Sequence, residues 1–125
     1  MKNKPEIEIN WLELPEEHDY PAAGDYLTLF YDKVIAGDFV YMLRKAEMSA
    51  FKAKDIFRAS QLPLLGVSNS HVEKNTKKIH AGKSLSPLLL VRDKTTMKLI
   101  IADGYHRMCS IYGIDEDAVI PCKIV

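Results

Sequence analysis

Apolar and polar residues form short alternating blocks over the second half of the chain. Two apolar runs, Leu88–Val91 and Leu99–Ile101, flank a polar stretch and predict two buried strands joined as a hairpin. Gly104 ends the second strand, and helix-forming residues with apolar side chains on one side continue to Tyr112. Gly113 then follows as a helix stop. The pattern predicts a helix that begins directly after a strand.

A second helix is predicted ahead of the first of these strands. Ser70 and Glu73 have the spacing of a capping box, with Ser70 as the N-cap, so Glu73 is predicted to be structural. This helix is predicted to reach His80 and to stop at Gly82. One of its faces is apolar, and the opposite face is polar and basic. The basic face carries His71, Lys74 and Lys78. Such faces are ordinarily just solvated.

The first half of the chain, residues 1–63, is predicted to be mainly helical. Apolar and polar residues alternate over 7–11 and predict a short strand. Asp25 and Asp38 are predicted to cap two helices that form a hairpin. Apolar spacing predicts a third helix over 50–59. We interpret this half as a helical cap over the sheet.

Composition and charge narrow the class of protein. The chain has 125 residues, 47% of them apolar and 27% charged, which is typical of a single globular domain. Seventeen basic and seventeen acidic residues balance, so no general attraction to nucleic acid or membranes is expected. Cys109 and Cys122 predict reduced thiols, and their spacing offers no metal site. Residues 1–9 lack the apolar core of a signal peptide, so we expect a cytoplasmic protein.

The turn after the second predicted strand is the main candidate for chemistry. It reads Asp103, Gly104, Tyr105, His106, Arg107. Free backbone N–H groups at a helix start attract anions, whereas a cation there is unfavourable unless an anion offsets it. The turn therefore predicts a phosphate site. Two structural alternatives remain open: Asp103 serves only the turn, or His106 and Arg107 bind a carbonyl and a surface acid.

The order of three motifs in residues 64–125 resembles the ParB/sulfiredoxin-like superfamily. The motifs are Ser-Pro-Leu-Leu-Leu-Val at 86–91, Asp-Gly-Tyr-His-Arg at 103–107 and Ile-Pro-Cys-Lys-Ile-Val at 120–125. The resemblance implies an α+β fold in which a small mixed sheet packs with helices. The last motif is then a strand, and the helical first half is an N-terminal extension of one domain spanning 1–125.

The resemblance also implies a ligand and the residues that bind it. The ligand is a nucleotide, ATP or CTP with Mg²⁺, whose phosphates meet the turn at Gly104, Tyr105, His106 and Arg107. The helix over 70–80 is the side wall of the pocket. Its implied ligands are the three residues of the polar face, His71, Lys74 and Lys78.

The implied activity is phosphoryl transfer or nucleotide hydrolysis. His106 and Arg107 stabilise phosphate charge in this interpretation, and Asp103 is the nearest carboxylate to accept a proton. Sulfiredoxins have a cysteine where this chain has Tyr105, so sulfinic acid reduction is not expected. Partition-type ParB proteins have a glutamate and two arginines after the glycine and a helix-turn-helix domain, which this sequence lacks. A non-catalytic regulatory module and a ParB-like nuclease or DNA-associated protein are the alternatives.

Overall fold

A computed structural model describes residues 7–125. The fold consists of a four-stranded mixed sheet with helices on both faces. The α+β class is therefore confirmed. The described strands are β1 (Ser49–Lys52), β2 (Leu88–Asp93), β3 (Lys98–Asp103) and β4 (Val119–Ile124). The sheet order is β1-β4-β2-β3. Most of the charged N-terminal segment, residues 1–6, lies outside the described residues.

Five helices are described, three of them in the first half of the chain. They are α1 (Asp19–Leu27), α2 (Lys33–Lys45), α3 (Ala53–Ser60), α4 (Ser70–His80) and α5 (Tyr105–Ile114). Within residues 7–125, none of the helices combines the length and the apolar character that crossing a bilayer requires.

One of the two inner strands of the sheet, β2, is buried on both faces along its apolar run. Leu88 and Leu90 pack with α3, α4 and α5, whereas Leu89 and Val91 pack with α1 and α2. All four side chains are fully buried. A strand covered on both sides must be apolar at every position, which explains the uninterrupted run in the sequence. The antiparallel β2–β3 hairpin is confirmed, and β4 adds to β2 in parallel.

In the first half of the chain, several of the predicted helix boundaries are wrong. Asp25 lies inside α1 and Asp38 inside α2, so neither is a cap. Asp32 caps α2 instead, because its Oδ1 accepts a hydrogen bond from the backbone N–H of Ile35 at 2.9 Å. The predicted pairing of two helices is confirmed, because α1 and α2 pack on each other.

The predicted helix over 50–59 and the predicted strand over 7–11 are also wrong in part. Residues 49–52 form β1, in which Phe51 lies opposite Ile120 of β4, and the helix begins only at Ala53. Long-range strand pairing has here overridden a local helical spacing. With the other described residues, 7–11 form a single isolated bridge, between Trp11 and Leu85.

The cap of α4 differs from the predicted one by a single residue. The helix has the predicted bounds at Ser70 and His80, but its N-cap is Asn69. Asn69 Oδ1 accepts hydrogen bonds from the N–H groups of His71 at 3.0 Å and Val72 at 3.3 Å. Ser70 is therefore the first helical residue and not the capping residue.

Replacing Asn69 by alanine should lower the free energy of unfolding by about 1 kcal/mol, because two N–H groups of α4 lose their acceptor. Urea unfolding followed by circular dichroism measures this loss. The matched control is Ser70→Ala, which we expect to change the free energy by less than about 0.5 kcal/mol. Equal losses in both variants would contradict the assignment of the cap.

Candidate functional site

The turn between β3 and α5 depends on Gly104. This residue has a φ of 110°, in the left-handed region that glycine adopts without steric cost. A Cβ atom here would lie 2.6 Å from Leu88 Cγ and 3.0 Å from Arg107 Nη2. The first N–H groups of α5, like those of any helix, have no partner within the helix, and no side chain of residues 7–125 caps them. The turn thus presents an uncapped helix start at one end of the sheet.

Arg107 and Asp103 form an ion pair across this turn. Arg107 Nη2 donates to Asp103 Oδ2 at 2.8 Å, and each side chain is 18% exposed. Burial raises the pKa of the Asp103 carboxyl, and the charge of Arg107 opposes that rise. Within the part of the chain that the structure describes, the buried Nε of Arg107 has no hydrogen-bond partner. The guanidinium is therefore oriented by Asp103 but not saturated by it.

Two histidines meet beside the turn. The ring centroids of His71 on α4 and His106 on α5 are 4.8 Å apart. Burial lowers the pKa of His106, and the nearby His71 lowers it further. Both effects favour the neutral imidazole form of His106. The two helices thus bring one predicted residue of the α4 face to the predicted turn.

Tyr105 connects the turn to the loop that precedes α4. Its hydroxyl donates a hydrogen bond to the carbonyl of Pro63, and its ring lies 5.4 Å from that of His106. Burial raises the pKa of the Tyr105 hydroxyl, so it stays protonated at neutral pH. Tyr105 therefore positions the loop and His106.

The two predicted lysine ligands lie on a different surface. Lys74 and Lys78 are exposed on α4 and line a shallow groove whose other described lining residues are Ser70, Glu73, Lys77, Ala81 and Lys83. The turn residues 103–107 are not among them. Lys77 in this groove pairs with Glu73 at 2.8 Å. The structure thus brings His71 to the turn, whereas Lys74 and Lys78 lie farther along α4 and line the groove.

A buried polar cluster next to the turn was missed from the sequence. Asp19 is only 3% exposed, and its carboxylate accepts hydrogen bonds from the Ser86 hydroxyl and, at 3.2 Å, from the N–H of Glu16. His18 Nε2 lies 3.3 Å from Asp19 Oδ1. Asp19 raises the pKa of Asp103 and His18 lowers it, so the cluster acts on the turn electrostatically. The only signal in the sequence was Ser86, which begins the first quoted motif.

Potential metal ligands are not clustered in the described part of the chain. Among residues 7–125 no group of three or more His, Cys, Asp or Glu side chains is arranged to hold one. Cys109 and Cys122 are buried free thiols, and burial raises the pKa of Cys122 to about 11. Asp103, the carboxylate of the turn, accepts from Arg107, so these residues would leave most ligands of a magnesium ion to phosphate oxygens and water.

The comparisons with known proteins identify no relative. Family models, curated proteins and solved structures were each compared with the chain, and none matched. The resemblance to the ParB/sulfiredoxin-like superfamily therefore stays a prediction.

His106→Gln should make stability less dependent on pH between pH 7.5 and 5. The folded state holds the pKa of His106 below its ordinary value, so the unfolded chain binds a proton first as the pH falls. The wild-type protein therefore loses stability in this range, and the variant should lose less. Urea unfolding at several pH values measures the slope, and His80→Gln controls for loss of a histidine as such. An unchanged slope in His106→Gln would refute the argument.

Proposed function

We propose that the Gly104 turn binds the phosphate groups of a nucleotide. The observation that carries the proposal is the uncapped start of α5, whose first turn has no acidic residue and contains His106 and Arg107. A phosphate there accepts hydrogen bonds from free backbone N–H groups and from the guanidinium. It also offsets the cost of a cation at the positive end of a helix.

The histidine pair supports this proposal from the side of α4. A neutral imidazole can donate one hydrogen bond to a phosphate oxygen without adding charge. His71 and His106 are close enough together to act on one ligand. Lys74 and Lys78 line the neighbouring groove, so we assign them long-range attraction of the anion and not direct contact.

The ion pair suggests how binding is coupled to chemistry. An incoming phosphate competes with Asp103 for Arg107, since both accept from the same guanidinium. As Arg107 turns to the phosphate, Asp103 loses the charge that opposes the rise of its pKa. It then becomes a better proton acceptor for an attacking hydroxyl or water. Mg²⁺ bound with the nucleotide would supply charge neutralisation at the phosphates. We therefore propose nucleotide-dependent phosphoryl transfer or hydrolysis.

The test is calorimetry with ATP and with CTP, each with Mg²⁺, followed by measurement of phosphate release. We expect saturable binding of at least one nucleotide, and release of phosphate or labelling of a small hydroxyl acceptor. Binding without turnover would instead favour the regulatory module. Salt-sensitive binding of duplex DNA without nucleotide binding would favour the DNA-associated alternative.

A matched pair of variants on α4 tests the geometry of the proposed site. His71→Ala should weaken nucleotide binding about fivefold, because it removes one hydrogen-bonding group beside His106. Lys74→Ala, one turn along the same helix, should weaken it less than about twofold at physiological salt. The reverse order would place the ligand in the lysine groove and not at the turn.

A further inference from the structure

A second cavity lies at the far end of the β2–β3 hairpin from the Gly104 turn. It has a volume of about 390 Å³ and lies between α3 and the 93–98 turn. The six residues of β3 separate the two places, a distance of about 20 Å. Its size is near the lower end of the range, about 300–1,000 Å³, that small-molecule sites occupy. An occupant here would not contact the proposed nucleotide site.

The walls of this cavity are apolar. Phe51 of β1, Ile56 of α3, Leu99 of β3 and Ile124 of β4 line it. Met97 lies at its rim, 81% exposed, with a left-handed φ of 58°. This conformation is costly for a long side chain other than Gly, Asn or Asp. An apolar side chain that is both strained and exposed contributes nothing evident to stability, whereas it extends the apolar wall of the cavity.

The charges at the rim are predominantly positive. Arg92, Lys94 and Lys98 line the opening, and within residues 7–125 none of them takes part in an ion pair. Asp93 also lines it, but its carboxylate accepts from Thr95 N at 3.3 Å and Thr96 Oγ1 at 2.6 Å and so fixes the turn.

The other acid of the lining, Asp55 on α3, is the only carboxylate of this cavity that forms no hydrogen bond within the described residues. The lining thus holds three cations against two carboxylates, Asp55 and Asp93, a formal excess of one positive charge. The excess charge is positive and lies at the mouth of an apolar cavity. A ligand that complements both features has an apolar body and an anionic end.

We propose that this cavity binds a small amphiphilic carboxylate, with its apolar body against Phe51, Leu99 and Ile124 and its carboxylate at Arg92 and Lys98. The planar guanidinium of Arg92 can donate two parallel hydrogen bonds to the two oxygens of a carboxylate. The apolar walls contribute through the area that the ligand removes from water. The cavity and the proposed nucleotide site share no residues and lie at opposite ends of β3.

Calorimetry with sodium decanoate as the probe tests the proposal. We expect saturable binding with one site, unaffected by ATP, and binding of the uncharged decanol weaker by about tenfold. Arg92→Gln and Lys98→Gln should each weaken decanoate binding about three- to fivefold, as loss of an exposed ion pair predicts. Lys33→Gln on α2, an exposed lysine outside the cavity, should leave binding unchanged.

Two further variants change other residues of the cavity lining and so test the site without replacing its basic side chains. Ala59→Trp places a large ring at an exposed lining position and should abolish decanoate binding. Met97→Asp suits the left-handed backbone, keeps the fold and adds a repelling charge, so it should weaken binding at least about fivefold. Absence of saturable decanoate binding, equal binding of decanol, or full binding by both cavity variants would overturn the proposal.

Discussion

Gly104→Ala should destabilise the protein by about 2–4 kcal/mol. The left-handed φ of 110° alone costs an alanine about 1–2 kcal/mol. The new Cβ would also lie 2.6 Å from Leu88 Cγ, and Leu88 is fully buried at the centre of the sheet, so it cannot move away without cost. Urea unfolding measures the loss. Nucleotide binding should weaken as well, because the same displacement disturbs the first turn of α5.

The matched control is Gly113→Ala in the same helix. A Cβ at Gly113 meets no atom of the described residues within 4 Å, and alanine is the better helix former. We therefore expect this variant to be stabilised by about 0.5–1 kcal/mol. If the two glycines responded alike, the special geometry of the turn would be refuted.

Arg107→Ala should have the largest effect on ligand binding. Loss of a charge-assisted contact to phosphate costs about 1.5–3 kcal/mol, a weakening of about 10- to 150-fold. Stability should also fall, by about 1–2 kcal/mol, because Asp103 is left without the cation that compensates its burial. Nucleotide calorimetry and urea unfolding measure the two losses separately.

A second substitution separates the two roles of Arg107. In the double variant Asp103→Asn, Arg107→Ala, no unpaired carboxylate remains, so most of the stability should return while nucleotide binding stays weak. Recovery of binding together with stability would mean that Arg107 acts only through the fold. Unchanged binding in Arg107→Ala itself would remove it from the proposed site.

The elements of the second half were predictable because local pattern and tertiary structure agree there. The runs at Leu88–Val91 and Leu99–Ile101 are apolar because both faces of these strands are covered. The helix starts at Ser70 and Tyr105 follow from nearby polar residues and from Gly104. These signals act over a few residues and need no knowledge of the rest of the chain.

Apart from the helix caps, the missed features depend on contacts between distant residues. Phe51 was assigned to a helix because nothing nearby indicates its partner Ile120. Asp19 and Ser86 are 67 residues apart, so their hydrogen bond has no local pattern. The helical periodicity of α4 gave the right polar face, but a period cannot tell which part of that face meets α5. Packing places the ring of His71 against that of His106, whereas Lys74 lines the groove.

The position of β4 in the sheet has a consequence for how the chain folds. β4 follows every other strand in sequence, yet it lies between β1 and β2 and joins them. Until β4 is in place, the β2–β3 hairpin has an open edge and β1 has no neighbour among the described strands. β1 can therefore join the sheet only after β4 has formed. Assembly of the sheet combines fast formation of the local β2–β3 hairpin with slow pairing of β1 and β4 across about 70 residues.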